Sequence, residues 1–111
     1  MTRGTRWSLG ALLAVSHLAC TPDREIPEGR VARTGGELTG TGTVRLARIE
    51  MGCWQIIGDD GQTYLPVGRR QGLPKHLERE GLRVRFVALV TDDYDTFCPG
   101  TLITLEFVEA T

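Results

Sequence analysis

The sequence predicts an all-β domain: a small five-stranded Greek-key barrel with one short helix between its third and fourth strands. Three observations lead there. From Leu38 onward apolar and polar residues alternate with a period of two, the spacing at which successive side chains face opposite sides of a strand. Gly58-Asp59-Asp60-Gly61 interrupts the alternation with residues that tolerate tight-turn geometry, as a hairpin requires. One stretch, residues 73–81, abandons the alternation and carries Pro74 near its start and Gly81 at its end, the punctuation of a short helix.

The elements follow in order. Residues 43–50 form the first strand, with Val44 and Leu46 inward. Its phase then slips so that Ala47 and Ile49 face in, which is what a β-bulge produces. Residues 53–57 make the second strand, with Trp54 and Ile56 on one face, and the hairpin leads to a third over residues 62–67. Pro66 cannot donate to a ladder, so this strand has an edge or a bulge. Residues 73–81 hold two helical turns at most, with Leu73 and Leu77 plugging one barrel end. Strict alternation returns over residues 82–90, placing Leu82, Val84, Phe86, Ala88 and Val90 on one face. The last strand, residues 102–108, turns Ile103, Leu105 and Phe107 inward and Thr104 and Glu106 outward.

The N-terminus has a different character. Residues 1–6 contain two arginines and no acid, residues 7–19 run without a charge, and Cys20 follows. These are the n-region and h-region of a signal peptide spanning residues 1–19. The run is too short for a bilayer span, which needs about 20 apolar residues. Three fates are open: cleavage before Cys20, ordinary cleavage after Ser16 (where Ala14 and Ser16 supply small residues), or retention as an anchor. Ala19-Cys20 resembles the end of a bacterial lipobox, in which a small residue precedes a Cys that is lipidated and becomes the new N-terminus. That resemblance favours cleavage before Cys20 and implies lipidation there.

Three cysteines, at positions 20, 53 and 98, leave one over in an exported chain. Lipidation of Cys20 accounts for it. Cys53 and Cys98 then remain as a pair in an oxidising compartment, where a disulfide is favoured over two separate thiols. Between anchor and barrel, residues 21–37 hold Pro22, Pro27, Gly29, Gly35 and Gly36 with no apolar period. The expected organisation is therefore a signal peptide over 1–19, a lipidated Cys and flexible tether over 20–37, and a barrel domain over 38–111. A coil of such length reaches roughly 25 Å.

Composition excludes several chemistries. Beyond residue 17 there is no serine, and Lys75 and His76 are the only lysine and histidine, so a Ser–His–Asp triad, a Ser–Lys dyad and a His-rich metal site are ruled out there. No cofactor is expected. From Thr21 on, 11 basic residues face 14 acidic ones, a net charge of −3, which argues against phosphate-backbone affinity and hence against nucleic acid. Asp92, Asp93 and Asp95 could hold Ca²⁺, but they lack the ligand series and glycine of a calcium loop, and a solvated acidic loop is the better reading. Arg45, Arg48, Arg83 and Arg85 read as an outer ladder paired with Glu50 and Glu106. Candidate contact residues are Arg69 and Arg70 in the loop before the helix, the Asp92, Asp93 and Asp95 loop, and Trp54 and Tyr64, aromatics on the strands where a stacking platform would lie.

Three strands, a short helix and two further strands are the element order of the OB-fold. Over about residues 40–110 the sequence resembles small OB-fold domains of bacterial envelope lipoproteins. The resemblance implies a non-catalytic binding or interaction module, tethered to a membrane by lipid and facing the periplasm. An immunoglobulin-like sandwich would want about seven strands and fits less well. Thr21 follows the lipidated Cys where inner-membrane lipoproteins often carry Asp, so the outer membrane is the expected address. The expected partner is an envelope protein, a small ligand or an oligosaccharide, with the chain itself a monomer. A protein or enzyme inhibitor presenting barrel loops is the second reading, and a small Asp/Glu hydrolase the third.

Overall fold

In a computed structural model the described residues are 25–49, 52–68, 72–92 and 96–111. The expected signal peptide, Cys20, Arg69, Arg70, Asp93 and Asp95 lie outside them. The strands are β1 (Val31–Thr34), β2 (Glu37–Ala47), β3 (Cys53–Gly58), β4 (Thr63–Pro66), β5 (Arg83–Val90) and β6 (Thr101–Ala110). They form one sheet in the order β1-β2-β3-β4-β6-β5, and a further pairing of β2 with β5 closes the last five into a barrel. The β4–β6 pair is parallel and the others are antiparallel. The all-β barrel read from the period-two alternation is therefore present.

Closure depends on β2. Its first half pairs with β1 on one side, its second half with β3, and residues 37–43 pair with β5 on the other. A strand that serves three neighbours must bend, and β2 carries glycine where the neighbours come closest. A Cβ on Gly42 would lie 2.6 Å from the Ile57 carbonyl oxygen and 2.8 Å from Ile56 Cγ2. Gly40 is crowded likewise by the Arg30 carbonyl and Val31 Cα. Absence of a side chain there is what lets the backbones meet.

Inside, Leu38, Val44, Ile56, Tyr64, Val84, Phe86, Ala88, Ile103 and Leu105 form the core, with Val31, Trp54, Leu73, Leu82 and Val108 packed around it. Tyr64 and Phe86 rings meet at a centroid distance of 6.1 Å, tilted by 54°, a favourable aromatic arrangement. Cys53 and Cys98 form a disulfide with Cα atoms 6.1 Å apart, across 45 positions of sequence. Closing a loop of that size is worth about 4 kcal/mol in the chain-entropy model.

Four expectations are corrected. First, the helix over residues 73–81 is not formed, and only a 3-10 turn, Lys75–Leu77, occurs after β4. Pro74 adopts an extended ψ of 144° and Glu78 leaves the helical region, so three residues remain, too few to offset helix nucleation. The chain beyond is captured by β2 instead: Gly81 N–H donates to the Val44 carbonyl and Val44 N–H to that of Leu82. Leu77 is nonetheless buried, and Leu73 packs against the core.

Second, the sheet starts inside the expected tether. Val31–Thr34 folds back on Glu37–Gly40 through Gly35-Gly36, where Gly35 takes a φ of 61°. Third, the bulge is in β6 and not in the first barrel strand. Val87 faces Phe107 and Ala88 faces Leu105, so Glu106 is the extra residue. One inserted residue flips every later side chain, and Phe107 is 42% exposed where the simple alternation had it inward. Fourth, Ile49 and Val90 are exposed. Both lie at or beyond strand ends, where the barrel wall no longer covers them.

Gly42→Val should lower unfolding free energy by roughly 1–3 kcal/mol through overpacking against Ile56 and Ile57. Gly36→Ala meets no atom within 4 Å and should leave stability unchanged or slightly raised. Urea melts of the two variants check this, and an equal effect of both would contradict the close-approach role of Gly42.

Candidate functional site

The hairpin residues Asp59 and Asp60 do more than turn the chain. Gly61, at a φ of 84°, lets the turn close, and Gln62 N–H donates to Asp60 Oδ1 at 3.1 Å. Asp60 Oδ2 also accepts from the Tyr64 hydroxyl at 2.6 Å. Asp59 reaches across the barrel end. Its Oδ2 accepts from Thr41 Oγ1 at 2.5 Å, and the Arg83 guanidinium grips both carboxylate oxygens at 2.8 and 2.7 Å. Arg83 also donates to Thr43 Oγ1, and Thr41 Oγ1 accepts from Gly29 N–H. Thr41 is buried, and the network satisfies its hydroxyl as donor and acceptor.

These contacts set the local protonation. The Arg83 hydrogen bonds, then that of Thr41, pull Asp59 down to about 2. Asp59 in turn raises Arg83. Burial first, and then the hydrogen bond and charge of Asp60, push Tyr64 up to about 12. Every oxygen of Asp59 is engaged, so this carboxylate is a fastener rather than an acid or base. Sequence alone reads Asp59 and Asp60 as turn residues, because nothing in the spacing of Asp59, Thr41 and Arg83 announces that they meet.

On the outer wall lies an open groove of about 980 Å³. Arg45 of β2 and Gln55 of β3 are register partners and so share the outer face. Arg48 extends the floor past the end of β2, Thr63 of β4 lines the far side, and Pro99 and Gly100 form the rim before β6. Two bonds fix the walls. Gln55 Nε2 donates to the Pro99 carbonyl at 3.0 Å, and Leu46 N–H donates to Glu80 Oε1 at 2.9 Å. The disulfide anchors the same rim one residue earlier, at Cys98. A smaller pocket of about 300 Å³ is lined by Trp54, Leu65, Leu73 and both cysteines.

The sequence-predicted residues separate accordingly. Tyr64 is 1% exposed and belongs to the core, so it cannot serve as a stacking platform. Trp54 packs against the core and lines the smaller pocket. Asp92 is exposed just beyond β5. Among the described residues, no group of three or more His, Cys, Asp or Glu is placed to hold a metal. Of the expected arginine ladder, Arg83 pairs with Asp59 and Arg85 with Glu109, both at 2.7 Å, and Glu50 lies outside the described residues. Gln55, Thr63 and Pro99 are among the groove residues that sequence reading missed: a lone polar residue in a strand carries no signal of its own, and Pro99 lies in the loop before β6.

Compared with protein-family models, curated proteins and solved structures, the chain has no match.

The depressed Asp59 makes acid stability testable. A carboxyl whose folded pKa lies below its unfolded value, about 3.9, contributes stability that is fully present above that value and is lost as pH falls through the folded one. The window is therefore about pH 4 down to about 2. The pair is partly exposed, so its contribution stays within about 1 kcal/mol. Asp59→Asn should lower stability at neutral pH and flatten its loss across that window in urea melts. An unchanged acid limb would contradict the assignment.

Proposed function

We propose that this chain is a lipid-anchored envelope protein whose barrel is a non-catalytic, OB-fold-type binding module. The observation that carries the reading is the position of the groove. Taking β2 as the first barrel strand, the barrel order is 1-2-3-5-4, closed by pairing of the first and fourth strands. OB-folds bind across strands two and three, between the first-to-second and fourth-to-fifth strand loops. Gln55 and Thr63 lie on the corresponding strands β3 and β4, Arg48 lies in the first of those loops, and Pro99 and Gly100 lie in the second. The Cys53–Cys98 disulfide fits an oxidising compartment and hence an exported chain. The lipobox-like Ala19-Cys20 junction supplies the anchor.

A binding role is favoured over hydrolysis because, among the described residues, the one strongly perturbed carboxylate, Asp59, is saturated by Arg83 and Thr41. One observation favours the second reading, an inhibitor presenting barrel loops. Phe97 is 69% exposed, in the loop that the disulfide pins. An exposed apolar side chain beside a cross-linked loop position is what a protein partner's pocket accepts.

The anchor is tested by fractionation with intact mass measurement. Wild-type chain should pellet with membranes and weigh more than residues 20–111 by one lipid modification, and Cys20→Ser should release it. An unmodified chain beginning at His17 would refute the anchor.

A further inference from the structure

We propose, resting on the binding-module reading above, that the outer groove takes an acidic peptide segment. Two independent observations point there. Arg45 and Arg48 both line the groove, and neither guanidinium forms an ion pair or hydrogen bond with any described residue, whereas those of Arg83 and Arg85 are both paired. Glu80, the one carboxylate among the described lining residues, spends an oxygen on the Leu46 amide. The groove is thus locally basic on a chain whose processed form carries net negative charge.

The second observation is Gln55. The residue is 5% exposed yet lines the groove, and its Nε2 is committed to the Pro99 carbonyl. No described residue donates to its Oε1. A buried amide oxygen with no donor among the described residues is costly, and a ligand N–H would relieve it. The ligand must therefore offer carboxylates to two guanidiniums and an N–H donor beside them. A peptide carrying Asp or Glu supplies both from consecutive residues. Bases and neutral sugars fit less well, because among the described residues no aromatic side chain lines this groove: Trp54 belongs to the other pocket and Tyr64 to the core. A groove of about 980 Å³ also suits an extended segment better than a single small anion.

The test uses the full processed chain and three probes: a fluorescent hexapeptide of Asp and Glu, its Asn/Gln counterpart, and oligogalacturonate as an acidic saccharide. Anisotropy should show saturable binding of the acidic peptide, weakened by salt, with the amide counterpart at least about tenfold weaker. Arg45→Gln with Arg48→Gln should cost at least about tenfold, and Lys75→Gln, exposed on the 3-10 turn, should cost nothing. The Gln55 side-chain amide resonances should shift on binding. Equal affinity for both peptides, or full affinity in the double variant, overturns the proposal. Arginine-dependent binding of oligogalacturonate without peptide binding overturns the peptide class and leaves the binding-module reading standing. If no probe moves any groove resonance, the acidic-peptide proposal falls, and the binding-module reading, whose partner class is broader, stands.

Discussion

The structure depends on one strand. β2 is hydrogen-bonded to β1, β3 and β5, and without its pairing to β5 the other barrel strands would remain an open sheet with unpaired edges. Two constraints follow from that triple duty. Its inner surface must let backbones approach, which Gly40 and Gly42 permit. Its buried polar side chain must also be satisfied, which Asp59 and Gly29 accomplish at Thr41. Through Asp59 the β3–β4 turn is then tied to Arg83 at the start of β5. The seam where the barrel closes is therefore fastened by side chains as well as by ladders.

A second fastening shapes the surface. The loop entering β6 is held to β3 twice, by the Cys53–Cys98 bridge and by Gln55 on the Pro99 carbonyl. Neither contact is needed to close the barrel. Together they raise a rim beside Arg45 and Arg48, so the groove is a product of the loop's attachment rather than of the strands alone. Preorganised walls reduce the ordering cost of binding, which supports the proposed reading of a groove with two unpaired guanidiniums among its described residues.

How far the sequence reveals this varies by element. Alternation locates the barrel strands and most of the core, because burial of one face imposes a period of two. The cysteine pairing is equally legible, from counting and from the expectation of an oxidising compartment. The Glu106 bulge is not, since an extra residue within a run such as Thr101–Ala110 looks like continued alternation until its partner strand is known. Nor is β1, whose mostly exposed residues leave no apolar pattern and whose glycine pair reads equally as tether. Pro74 and Gly81 flank residues that look helical, but the pull of β2 on Gly81 and Leu82 is a tertiary effect. The groove shows the same division. Its arginines are visible as charges, while Gln55 and Pro99 become a site only when residues 44 positions apart meet.

Amide hydrogen exchange tests the central role of β2 most directly. Strands locked on both sides open only in global unfolding, whereas edge strands open locally at lower cost. The amides of residues 38–44 bonded to a neighbouring strand, and their partners over residues 84–88, should be among the slowest in the chain and exchange with a common opening free energy. Those of β1 should exchange markedly faster. Rapid, independent exchange along residues 38–44, at the rate of β1, would mean that β2 and β5 are not paired and that the barrel is open.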